Sequence, residues 1–143
     1  MKLNDSWVCA EGTNDNNIPY LLRFRTELQN FIDTENYNTR LDITWDYVSD
    51  KDNLLPSLVD LELMEKIEDA LIEGWEGDFQ TILTFVYTGV NERLWTWYTK
   101  DSGVALERLN NTLANFSKVP IRIAAENDPE WSEYIAVLEN TED

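Results

Sequence analysis

The chain has 143 residues, with 28 Asp and Glu against 11 Lys and Arg and a formal net charge of -17. Hydrophobic residues make up 43%, enough for one packed domain and too much for a disordered chain. The charge opposes nucleic acid and anionic membranes; the lack of any His removes imidazole catalysis and His-ligated zinc; the single cysteine, Cys9, rules out an internal disulfide.

Residues 1–5 hold one Lys and no apolar run follows, so no secretory peptide is expected, and no apolar cluster is long enough to cross a bilayer. With one Cys and no signal, the expected place is the cytoplasm. The sequons at Asn4, Asn110 and Asn115 are then chance matches.

Residues 6–11 and 18–25 read as two strands, joined by the turn-forming run Gly12 to Asn17. Residues 26–33 fit a short helix with Leu28, Phe31 and Ile32 on one face. The next strand is the clearest. Leu41, Ile43, Trp45 and Tyr47 alternate with Asp42, Thr44 and Asp46, which means one buried face and one wet face.

Ser57 is a helix N-cap that Asp60 can answer. Val59, Leu63, Met64, Ile67, Ala70 and Leu71 form an apolar stripe, with Glu62, Glu65, Glu68, Asp69 and Glu73 opposite. Gly74 or Gly77 ends the helix. Residues 79–88 and 93–100 form a second hairpin. In its first arm Leu83, Phe85 and Tyr87 oppose Ile82, Thr84 and Val86. Both faces are apolar, so the arms should be central.

Asp101 or Ser102 caps another helix with the stripe Leu106, Leu109, Leu113 and Phe116, stopped by Pro120. Ile121, Ile123 and Ala125 begin a last strand. Asp128-Pro129 reads as an N-cap with Pro at the first helical position, opening a helix lined by Trp131, Tyr134, Ile135 and Leu138. The acidic tail 139–143 should fray.

From residue 40 the order is strand, helix, strand, strand, helix, strand. The expected class is α+β, a ferredoxin-like split βαβ sandwich with an antiparallel sheet and two helices on one face. The expected layout is one domain, 1–143. Within it lie an N-terminal β-hairpin extension (1–30), the ferredoxin-like core (38–126) and a C-terminal helix with acidic tail (127–143). The hairpin either extends the sheet or covers part of its other face.

Arg93-Leu94-Trp95-Thr96-Trp97-Tyr98-Thr99-Lys100-Asp101 resembles a strand segment of the bacterial domain-of-unknown-function family numbered 695. Asp128-Pro129-Glu130-Trp131-Ser132-Glu133-Tyr134 does too, and Trp7 with Asn17-Ile18-Pro19-Tyr20 is similar to that family's first hairpin. The resemblance covers nearly the whole chain. Some relatives are joined to a domain similar to the regulator B of ribonuclease E activity, a small acidic ferredoxin-like protein, which implies by analogy an inhibitory or regulatory binding role. It supplies no active-site residues.

Four sets of residues are candidates for function. Glu62, Glu65, Glu68, Asp69 and Glu73 are either a docking face for a basic protein or a solvated helix face. Trp95, Trp97 and Tyr98 either stack ligands on an open sheet or pack in the core. Asp42 with Asp46, or Asp50 with Asp52, can hold a cation or serve hydrolysis, though close pairs arise by chance among so many acids. Cys9 either reacts or acts as a small buried hydrophobe. The function expected from the residues is non-catalytic, with no cofactor or metal. It is binding or regulation of a basic protein, in its sharper form an inhibitor or immunity-type protein covering a nuclease groove. The alternatives are a carboxylate-based or metal-dependent hydrolase and a small-ligand binder using the aromatic face.

Overall fold

The computed structural model describes residue 3 and residues 5–116 and 119–141. The Asn4 sequon and the last two residues of the acidic tail lie outside this range. The elements run β1 (Trp7–Thr13), β2 (Pro19–Arg25), α1 (Gln29–Asp33), β3 (Thr39–Asp46), α2 (Leu58–Glu76), β4 (Thr81–Gly89), β5 (Glu92–Thr99), α3 (Ser102–Leu113), β6 (Ile121–Asn127) and α4 (Ser132–Thr141). The chain is α+β.

All six strands form one antiparallel sheet in the order β1-β2-β4-β5-β3-β6. The N-terminal hairpin therefore extends the sheet, β2 pairing with β4. β4 and β5 are central, as their two apolar faces require. The helices α2 and α3 each join two strands separated in the sheet by a third.

Two cores fill the two faces. Leu41, Ile43, Trp45, Trp95 and Trp97 pack with Met64, Ile67, Leu71 and Trp75 of α2 and Leu109 of α3. On the other face Phe24, Ile82, Phe85 and Tyr98 pack with Phe31 of α1 and with Trp131 and Tyr134 beside and on α4. The face away from α2 and α3 is thus covered as well. Trp131 stacks on Tyr98 with ring centroids 4.3 Å apart and donates from Nε1 to the Tyr37 carbonyl at 2.9 Å.

Several local expectations are corrected. A bulge between Leu83 and Phe85 breaks the alternation of β4, so Leu83 and Val86 share the α2 core while Ile82 and Phe85 share the other. Val59 is 76% exposed and does not belong to the apolar stripe of α2. Of the two glycines expected to end α2, Gly74 lies inside it and Gly77 does end it, as C-cap at an ordinary helical φ of -57°. Phe116 lies beyond the end of α3 and still packs on the α2 core.

Asp128 caps α4 from a distance, accepting from the backbone N–H groups of Ser132 at 2.8 Å and Glu133 at 3.3 Å. Pro129 therefore sits in the preceding turn, not in the helix. Trp131 comes just before the helix, at a φ of 57°. The tail expected to fray is helical as far as Thr141. The β4–β5 turn is a two-residue loop, Val90-Asn91, with φ of 51° and 65°. Both residues are left-handed, as the twist of a tight hairpin demands.

Candidate functional site

The helix α2 starts where the sequence places it. Ser57 Oγ accepts the Asp60 N–H at 3.2 Å. At about 100° per residue, Ile67, Glu68, Leu71 and Trp75 all fall within about 60° of Met64, so Glu68 belongs to the inward stripe. The structure bears this out: Met64, Ile67, Glu68, Leu71, Trp75 and Glu76 are buried. Of the five acids assigned to the outer side, Glu62, Glu65, Asp69 and Glu73 are exposed and Glu68 is not.

Glu68 Oε1 accepts from the Trp95 indole N–H at 2.8 Å, from Arg23 Nη2, and more weakly from Arg93 Nη2 at 3.5 Å. A buried carboxylate survives only with such partners. About two turns further on, Glu76 holds Arg25 at two points and also accepts the Leu83 N–H at 2.8 Å. Trp7 of β1 lies beneath two guanidiniums, Arg23 at 4.9 Å and Arg25 at 4.6 Å from its ring centroid. Burial pushes the Arg93 guanidinium below its ordinary pKa, and the nearby Arg23 charge adds to this while Glu68 opposes it. These arginines were not singled out in the sequence. The one local signal is that Arg23 and Arg25 interrupt an otherwise apolar strand at alternate positions, facing the same way.

The outer side of α2 differs from its inner side in charge balance. Among the described residues, Glu62, Glu65, Asp69 and Glu73 enter no ion pair, whereas Glu68, Glu76 and the following Asp78 all do. Arg108 holds the Asp78 carboxyl down to about 2. A shallow cleft of about 370 Å³ touches Glu65, Glu68 and Asp69, but Arg23 and Arg93 line it too, so its carboxylates face cations.

The other candidates are dispersed. Trp95, Trp97 and Tyr98 are fully buried, the two indoles on the α2 side and the phenol on the other, so they form core and not a stacking platform. Asp42 is bound to Arg40 at 3.0 Å and to Thr96 Oγ1 at 2.9 Å. Asp46 is bound to Arg122 at 2.6 and 2.9 Å, which holds its carboxyl below the usual range. Each of this pair is thus committed to its own arginine. Asp50 and Asp52 are exposed in the loop before α2. Among the described residues no cluster of three His, Cys, Asp or Glu could hold a metal ion.

Cys9 is exposed, contrary to its expected role as a buried hydrophobe. It lies on β1, an edge strand of the sheet, in register with Arg23 of β2. It borders a cleft of about 200 Å³ lined also by Leu21, Arg23, Val86, Thr88 and Arg93. Among the described residues no helix is long and apolar enough to cross a membrane.

The arrangement defines an α+β protein in which the inward acids of α2 are ion-paired with arginines, while four exposed acids on its outer side enter no ion pair among the described residues. The chain matches the model of a family of unknown function (DUF695) over residues 5–138 and belongs to that family. No curated protein and no solved structure matches it.

Proposed function

We propose that this protein works by binding, without catalysis, and that its partner is a basic protein held against the outer side of α2. The observation that carries this is the charge balance of one helix. Its inward acids are each met by arginine, while Glu62, Glu65, Asp69 and Glu73 are left to solvent with no ion pair among the described residues. Only Lys66 breaks the acidic run from residue 60 to residue 78. Neighbouring like charges on a helix repel, and a face serving solubility alone interleaves both signs.

A partner rich in Lys and Arg relieves that repulsion and is steered toward it. An inhibitor or immunity-type protein that covers the basic groove of a nuclease is the sharper form of the same reading. For the core, residues 39–127, we assign the ferredoxin-like arrangement. Its support is the strand order β4-β5-β3-β6 and the two crossovers through α2 and α3. The same arrangement links it by analogy to the acidic ribonuclease regulator noted above.

The test is affinity capture from the native host with the wild type and with Glu62→Lys/Glu65→Lys/Asp69→Lys, followed by association kinetics on the captured protein. The triple variant should fold, since exposed charges contribute little to stability. It should bind more weakly, and wild-type association should slow as salt rises, because steering is screened within about 8–10 Å. Unchanged kinetics in the variant would remove this face from the account.

A further inference from the structure

We propose that β6 is a self-association edge through which two copies of this chain join their sheets. β6 ends the sheet, and its outer side meets no other strand among the described residues. From Arg122 to Asn127 every residue is exposed, so neither helical layer overhangs it. Such an edge presents unpaired N–H and C=O groups, a template for another strand. β1, at the opposite edge, carries a single charged residue, Glu11.

The occupant is chosen by charge. β6 reads Ile-Arg-Ile-Ala-Ala-Glu-Asn. An antiparallel pairing of two such strands about a two-fold axis at Ala124 sets Arg122 of each copy opposite Glu126 of the other. Both contacts are favourable, and Ile123, which is 41% exposed, falls opposite Ala125. Slipping the register by about two residues leaves both charges opposite alanine or the turns, and slipping by about four sets like against like. The strand thus selects itself, in one register.

The charges continue a ladder already present within one chain. Arg122, Ala124 and Glu126 pair in register with Thr44, Asp42 and Arg40. Arg122 is held by Asp46, and Glu126 by Arg40 at 2.7 Å. Across the joint the order becomes Asp46, Arg122, then Glu126 and Arg40 of the second copy, with signs alternating throughout. The net charge of -17 on each copy opposes the approach. That repulsion is long-range and screened by salt, whereas the cross-strand pairs lie well inside a Debye length of about 8 Å. Self-association should therefore strengthen as salt rises, the reverse of the α2 interaction, and failure of either leaves the other standing.

The test is sedimentation with rising protein concentration, together with cysteine placement in a Cys9→Ser background. Ala124→Cys puts two thiols on the axis, with Cα atoms about 4.5–5.5 Å apart, within disulfide reach. In Asn127→Cys the two thiols would stand about 20 Å apart, six residues from their match at about 3.4 Å each. We expect oxidation to cross-link the first at least about tenfold faster than the second. Ala124→Lys, which sets two ammonium groups on the axis of an exposed strand, should stay monomeric where the wild type dimerises. Equal cross-linking of the two cysteine variants, or a wild type monomeric at every concentration and salt, would overturn the proposal.

Discussion

The Arg25 guanidinium grips the Glu76 carboxylate at two points, Nη1 to Oε2 at 3.0 Å and Nη2 to Oε1 at 3.2 Å, with both side chains buried. The pair ties the N-terminal hairpin to the last turn of α2. Arg25 also donates to the Leu83 carbonyl, so three elements meet at one guanidinium. Removing Glu76 leaves buried Arg25 with only the largely exposed Asp5 carboxylate, at 3.3 Å, as counter-charge, and removing Arg25 leaves Glu76 buried without a cation. Glu76→Ala should cost about 3–5 kcal/mol in urea unfolding, and Arg25→Met/Glu76→Leu should cost clearly less than the sum of its single variants.

Glu65 and Glu68 stand three residues apart on α2 and should behave oppositely. Glu68→Ala strips the Trp95 indole and two guanidiniums of their acceptor and should cost at least about 2 kcal/mol. Glu65→Ala, on the exposed side, should change stability by less than about 0.5 kcal/mol. Equal effects in chemical denaturation would mean the helix is rotated from its described position.

Trp45 is 3% exposed and meets Trp95 edge-on at 6.4 Å. Trp45→Ala should cost about 3–5 kcal/mol through lost burial and the cavity left behind. A measured loss below about 1 kcal/mol would contradict the inward face of β3.

Val90 holds a left-handed φ of 51° despite its branched Cβ. That conformation costs a non-glycine residue about 1–2 kcal/mol, and Asn tolerates it well. Because Val90 is 40% exposed, little packing is lost on replacement. Val90→Asn should raise the thermal midpoint, by about 1 kcal/mol in stability.

Asp128 joins β6 to α4 electrostatically. Burial raises its carboxyl pKa, but the Tyr98 hydroxyl at 2.7 Å and the Ser132 and Glu133 N–H groups outweigh burial and hold it below the ordinary value. A carboxyl lowered on folding adds stability above its unfolded pKa of about 3.9, and that stability is lost as pH falls through the folded value. Asp128→Asn should therefore cost about 1 kcal/mol at neutral pH, with the gap to wild type narrowing below about pH 4 in acid titrations of stability.

The sequence by itself determined what is local. The alternation of Leu41, Ile43, Trp45 and Tyr47 specifies a half-buried strand, because successive side chains on a strand point to opposite faces. Ser57 and Asp101 start their helices through bonds to backbone two or three residues away. Composition alone sets the net charge. Only the tertiary structure decided where charge meets charge. Glu68, Glu76, Arg23, Arg25 and Arg93 find one another across 25 to 51 residues of chain, and sequence spacing carries no signal for such pairs. A single bulge at Leu83 reversed the parity of β4, and the sheet order left Cys9 at an open edge. Periodicity shows that a face is buried. Which neighbour covers it, and whether a carboxylate in that stripe is met by an arginine, depends on the packing of elements distant in sequence.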